Sequence, residues 1–345
     1  PADMSLALVD IPEVTAPTAA AGAGASTGAS VQNAAYLTGG VRAALTAPVV
    51  IPRSQWGARA QACTPDVAST LVGAVVHHTA GSNSYSTVEQ AMQQIRGDQA
   101  YHMTARGWCD LGYNFVVDKW GNVYEGRANS LGQAVIGVHA GGFNTGTVGV
   151  SMLGTYDVAP STATVQAVGQ IIGWRLGAYG VDPQGTMSYT TGDGENSRFK
   201  NTTVTLPRVL GHRDVAFTAC PGNGGVAVLP ALRSVAAGIA SAVEYSDAVV
   251  RVDALYQDML GRTPDAAGRP FWADRLITLG GPGTVANGLA TSPEYVTKRV
   301  VAAYDEILGR APDATGLATW TAEIGSGRLR QEDLRGQLIA SDEYF

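Results

Sequence analysis

The chain has 345 residues, of which 45% are hydrophobic and 15% charged, and a formal net charge of −6. That length predicts two domains or one large one, with enough apolar residues for a sizeable core. The Lys and Arg residues are scattered and form no basic stripe with interleaved aromatics, which argues against nucleic acid as a partner. No run of about 18 or more uncharged apolar residues occurs, so no transmembrane segment is expected. The nearest case, residues 226–243, carries Arg233 and reads as a soluble helix.

Residues 1–47 are dominated by Ala, Gly, Ser and Thr, and residues 16–30 are close to a low-complexity linker. Such a segment cannot bury enough apolar surface to offset the entropy of ordering it. It has no basic stretch followed by an apolar core, so any leader is expected to have been removed already.

Residues 48–246 read as one α/β domain. Residues 71–76 are a short apolar run ending at His77, as in a buried strand. Residues 86–96 carry Val88, Met92 and Ile95 at helical spacing, with Thr87 as the expected N-cap. Residues 113–118 and 121–125 read as a strand, a tight turn and a second strand, and residues 147–153 as another strand. Residues 162–179 have an apolar period near 3.6 and end at Gly180, an expected helix cap. Residues 182–203 are polar and Gly-rich, which fits a long surface loop or a hairpin. A helix over residues 229–245 closes the domain. The fold class expected is α/β: a central mixed β-sheet flanked by helices, followed by a C-terminal all-helical repeat domain over residues 247–345.

The repeat is explicit. Leu255–Arg262 returns 48 positions later as Ala303–Arg310. Pro264, Asp265, Gly268 and Trp272 recur as Pro312, Asp313, Gly316 and Trp320. Ser292–Tyr295 returns as Ser341–Tyr344. Two such units bury apolar faces together more readily than either does alone. Their acidic residues lack the alternation of a calcium-binding EF-hand loop and read as solvated helix surface.

The chemistry concentrates in residues 211–223. His212 and Cys220 stand there with Thr218 between them, in a segment rich in turn formers. Imidazole and thiolate are ligands that zinc favours, and a catalytic zinc site needs three protein ligands and one open position. His77 is the best-placed third donor. On these residues alone, a structural or incidental His–Cys pair competes with the metal reading.

Several stretches then fit one family, in its order: VVHHTAG (75–81), GWCDLGYNF (107–115), VYEGR (123–127), VGVSMLG (148–154) and residues 211–222. Together they resemble the peptidoglycan recognition proteins and type-2 N-acetylmuramoyl-L-alanine amidases, over residues 50–245. The resemblance implies Zn2+ held by His77, His212 and Cys220. Strand neighbours point to opposite faces, so only one of His77 and His78 faces the metal, and the family pattern selects His77. It implies catalytic roles for Tyr113, as donor to a developing oxyanion, and for Thr218, as an orienting hydroxyl. It places His102, Trp108, Arg127 and His139 along a groove for muramyl peptide. Glu125 and Arg127 are expected to serve structure together. The resemblance also pairs Cys63 with Cys109, a bridge worth about 4 kcal/mol in the chain-entropy model and one that points to an oxidising compartment.

The function so implied is hydrolysis of the amide between N-acetylmuramic acid and L-alanine of the peptidoglycan stem peptide, by a secreted bacterial protein that remodels cell wall. The alternative is a protein that binds peptidoglycan without cutting it. The C-terminal repeats resemble a domain of unknown function at the ends of secreted bacterial proteins, with a wall component as expected ligand.

Overall fold

The computed structural model describes residues 47–279 and 281–345. The N-terminal segment set apart by its composition lies, but for residue 47, outside the described residues.

The strands and helices follow in chain order: β1 (Val50–Ile51), α1 (Arg53–Trp56), β2 (Gly73–His78), α2 (Val88–Thr104), β3 (Phe115–Val117), β4 (Val123–Glu125), β5 (Thr147–Met152), α3 (Thr162–Gly177), β6 (Thr186–Thr190), β7 (Thr203–Pro207), β8 (Val209–Gly211), α4 (His212–Val215), α5 (Gly222–Ala227) and α6 (Leu229–Leu260). Five further helices complete the chain: α7 (Gly268–Leu279), α8 (Pro282–Ala290), α9 (Pro293–Leu308), α10 (Ala314–Gly325) and α11 (Gln331–Ile339).

Six strands form a sheet in the order β1–β4–β3–β5–β2–β8. Only β3 and β4 are antiparallel, so the sheet is mixed, as expected. Every residue of β2 and β5 is buried, as it must be for strands covered on both faces. On one face Ala74, Val76, Val148, Val150 and Met152 pack with Val168, Ile171 and Ile172 of α3 and Leu232 and Ala236 of α6. On the other, Val116 and Tyr124 pack with Trp56, Ala91 and Ile95. Beside β2 and β8 on that side, Val75 and Leu210 meet Phe143, Met187 and Tyr189. The polar stretch before β8 is a hairpin rather than a loop, with β6 and β7 antiparallel. At the start of α2, Thr87 Oγ1 accepts the Gln90 backbone N–H at 3.2 Å, the cap its sequence position predicts.

Helices α3 and α6 approach closely because α3 presents Gly169, Gly173 and Gly177 at four-residue spacing, on one face. A Cβ at Gly173 would lie 2.3 Å from the Ala236 carbonyl oxygen, and one at Gly169 2.6 Å from Val235. Gly173→Ala is therefore expected to destabilise the protein by about 1–3 kcal/mol in urea unfolding, even though alanine in a helix is favoured over glycine by about 1 kcal/mol. A midpoint equal to or above that of the unaltered protein would show that these helices do not pack so tightly.

The helix expected to end at Tyr245 does not end there. α6 continues to Leu260, and Ala248, Val252, Tyr256 and Leu260 stay buried. They form one small core with Ala273, Val285 and Leu289, and a second gathers Val296, Val300, Tyr304, Leu334 and Leu338. The C-terminal region is helical throughout, and its sequence repeat encodes the same devices twice. Gly261 and Gly309 end their helices with left-handed backbone. Arg262 grips Glu294 as Arg310 grips Glu343. Asp265 and Asp313 each accept a backbone N–H at the start of the next helix. The acidic residues of the repeat thus serve as caps and ion-pair partners.

Candidate metal centre

Strands β2 and β8 run parallel with Val76 opposite Gly211. One residue further on, each delivers an imidazole, and the rings of His77 and His212 lie 4.5 Å apart between centroids. Strand alternation turns His78 to the opposite face, where its Nδ1 accepts the Tyr156 backbone N–H at 3.3 Å.

Cys220 returns to this point through the short helix α4 and the turn after it. The Arg213 backbone N–H donates to the Cys220 carbonyl at 2.8 Å, and the Cys220 N–H donates to Thr218 Oγ1 at 3.2 Å. Its sulfur accepts the His78 backbone N–H at 3.3 Å and lies 3.7 Å from His77 Nδ1. Donor atoms of His77, His212 and Cys220 all fall within 4.8 Å of one another.

Burial governs the protonation of all three. It holds His77 well below the usual imidazole range, with His212, His139 and His78 adding to the effect. It lowers His212 to about 4, helped by His78. It pushes the Cys220 thiol up to about 12, against the opposing pull of the His78 N–H and Arg213. At neutral pH the cluster therefore offers neutral imidazoles and a thiol whose proton a bound cation must displace.

A family model described as N-acetylmuramoyl-L-alanine amidase matches residues 68–223, which include all three donors. Peptidoglycan-recognition protein SC2 of Drosophila simulans is 36% identical over 174 residues, spanning 50% of this chain and 80% of that protein. The chain belongs to the peptidoglycan recognition protein family. Peptidoglycan recognition protein 1 of Bos taurus is 33% identical over 186 residues, spanning 53% of this chain and 84% of that one. A solved structure of Drosophila PGRP-LB aligns at 27% identity and a TM-score of 0.41, covering 53% of this chain and 92% of that chain.

Around the three donors of this peptidoglycan recognition protein stand most of the residues singled out from its sequence. The Tyr113 ring lies 5.3 Å from His77 and 5.7 Å from His102, and burial lifts its phenol above the ordinary range, with Cys220 and Asp98 adding to the rise. His102 Nδ1 accepts the Gly112 N–H at 3.2 Å, which leaves its proton on Nε2. Its ring lies 4.7 Å from that of Trp108, tilted by 32°.

Arg127 and His139, both expected along the groove, are buried. Arg127 is only 5% exposed and donates to the Leu111 carbonyl at 3.2 Å. No ion pair joins it to Glu125 among the described residues; Asp110 and Asp66 are the carboxylates that act on it. His139, also expected in the groove, is 7% exposed and sits behind His77, with its Nδ1 3.1 Å from His77 Nε2. Cys63 and Cys109 are joined as a disulfide, with Cα atoms 5.4 Å apart.

Asp98 was not singled out from the sequence, although it precedes His102 by one helical turn and so shares its face of α2. Half-buried, it takes no hydrogen bond or ion pair from the described residues, and burial pushes its carboxyl up to about 7. A carboxyl raised on folding holds a proton that the unfolded chain has already released. Its contribution to stability therefore falls as pH rises from about 4 to about 7. Asp98→Asn is expected to match the unaltered protein in urea unfolding near pH 4. At pH 8 it should be about 1–3 kcal/mol more stable. Equal differences at both pH values would show that this carboxyl titrates normally.

Proposed function

We propose that this protein is a zinc-dependent N-acetylmuramoyl-L-alanine amidase that hydrolyses the bond between N-acetylmuramic acid and the L-alanine of the stem peptide, in the remodelling of bacterial cell wall. The observation that carries this reading is the convergence of two imidazoles and a buried sulfur, from β2 and from the segment after β8, beside the ring of Tyr113. The donor set fits zinc: three N and S ligands, and no fourth His, Cys, Asp or Glu joining the group among the described residues, is the pattern of a site that keeps one position open. His77, His212 and Cys220 would hold the ion. When bound, zinc supplies Lewis acidity toward the scissile carbonyl and lowers the pKa of water.

The remaining work falls to the chain. Tyr113 keeps its proton at working pH and donates it as a hydrogen bond to the oxyanion that develops on the substrate carbonyl. Thr218 fixes the backbone of Cys220 and so the angle of its sulfur, and its hydroxyl orients the substrate. His102 presents an Nε2–H, and Trp108 a flat apolar ring, to sugar or peptide. The disulfide supports an oxidising, extracytoplasmic compartment, where the peptidoglycan substrate is found.

The rival reading, recognition without hydrolysis, is favoured by the names of the relatives. Incubating the zinc-loaded protein with muramyl peptides of increasing stem length, followed by mass spectrometry, separates the two. Release of free stem peptide, abolished by a chelator and restored by zinc, supports the amidase. Retention of intact muramyl peptide by the loaded protein, with no peptide released from any length, sinks it in favour of recognition.

A further inference from the structure

His139 stands in direct contact with His77. His139 Nδ1 lies 3.1 Å from His77 Nε2, and the two rings meet edge to face at 77°. The other ring nitrogen of His77, Nδ1, is the one turned to Cys220, 3.7 Å from its sulfur. A nitrogen that binds a cation through its lone pair carries no proton, so the proton of neutral His77 must sit on Nε2. Nε2 then donates to His139 Nδ1, and the proton of His139 is confined to its own Nε2. That atom is buried, with the Thr147 backbone as its hydrogen-bonding neighbour. In the opposite tautomer His139 would donate to His77, and the His77 proton would occupy the nitrogen facing Cys220 and block it.

The His139 ring is also held in place by absent side chains. A Cβ at Gly137 would lie 2.5 Å from the ring, and one at Gly149 2.4 Å from it. The His139 backbone N–H donates to Asn144 Oδ1 at 2.9 Å. The slot admits an imidazole in this pose and no added carbon on either flank.

We propose that His139 is a positioning residue for the metal: it accepts the Nε2 proton of His77, selects the tautomer with a free Nδ1, and aims that nitrogen at the point shared with His212 and Cys220. The inference rests on the zinc reading above but not on amide hydrolysis. Partners of this kind typically account for 10–100-fold in metal affinity.

Competition of the full chain with a chromogenic chelator measures zinc affinity directly. His139→Ala is expected to bind zinc about 10–100-fold more weakly, with partial recovery in His139→Gln, whose amide oxygen can still accept. Gly149→Ala keeps the histidine but displaces its ring, and is expected to weaken zinc as well. It also serves if the alanine variant at 139 fails to fold by circular dichroism. Zinc affinity within about twofold of the unaltered protein in these variants, with a raised KM, would overturn the proposal and return His139 to the substrate. Normal zinc binding by the unaltered protein without hydrolysis would count against the amidase alone. No zinc binding by the unaltered protein would overturn both.

Discussion

Cys220→Ala is expected to lose stoichiometric zinc and, with it, all hydrolysis above background. The sulfur is the one donor of the three that carries negative charge once metallated, and it is held by the His78 backbone N–H at 3.3 Å. Its removal leaves two imidazoles. Since supporting residues alone account for 10–100-fold in affinity, loss of a direct ligand should exceed about 100-fold. The fold should survive. The zinc-free variant is expected to melt close to the zinc-free parent, while the stabilisation that added zinc confers on the parent disappears. Metal analysis after gel filtration, beside differential scanning calorimetry with and without zinc, reads both effects. One zinc per chain in the alanine variant would refute the ligand set.

Tyr113→Phe probes the opposite property, catalysis with the metal intact. The ring lies against His77 and His102, and a phenol lifted above its ordinary range remains a donor throughout the working pH range. Loss of one such donor to a developing oxyanion costs about 2.7–4 kcal/mol, or roughly 100–1000-fold in kcat. KM and zinc content are expected to change little. A raised KM at unchanged kcat would instead make Tyr113 a substrate-binding residue.

Much of this centre was legible in the sequence because its motifs are local. The Thr87 cap, the apolar run ending at His77 and the Gly-Tyr-Asn-Phe stretch each declare themselves within a few residues. What joins them is not local. β8 has three residues, too short for periodicity to reveal, yet its register with β2 is what brings His212 beside His77. The length of α2 was also underread. The helix passes Gly97, where an added Cβ would meet nothing within 4 Å, because buried Gln99 and His102 anchor the turns beyond it. Glu125 and Arg127, expected to serve structure together, are both buried but take different partners, which two positions' separation in sequence does not reveal: Glu125 belongs to β4 and Arg127 turns under Leu111. The pose of His139 was not legible for a related reason. Its motif gives its neighbourhood, but only the slot between Gly137 and Gly149 shows which way its ring faces.

The unbroken run of α6 has a mechanical consequence. Its first turns are stapled to α3 through Leu232 and Ala236, and its last turns form the spine of the first C-terminal core. A single rod shared by two cores couples them along its length. Ending the chain at residue 247 would cut that rod and take away Ala248, Val252 and Tyr256, stripping from Tyr245 the core it packs in, so the C-terminal helices are braced to the α/β half rather than tethered to it.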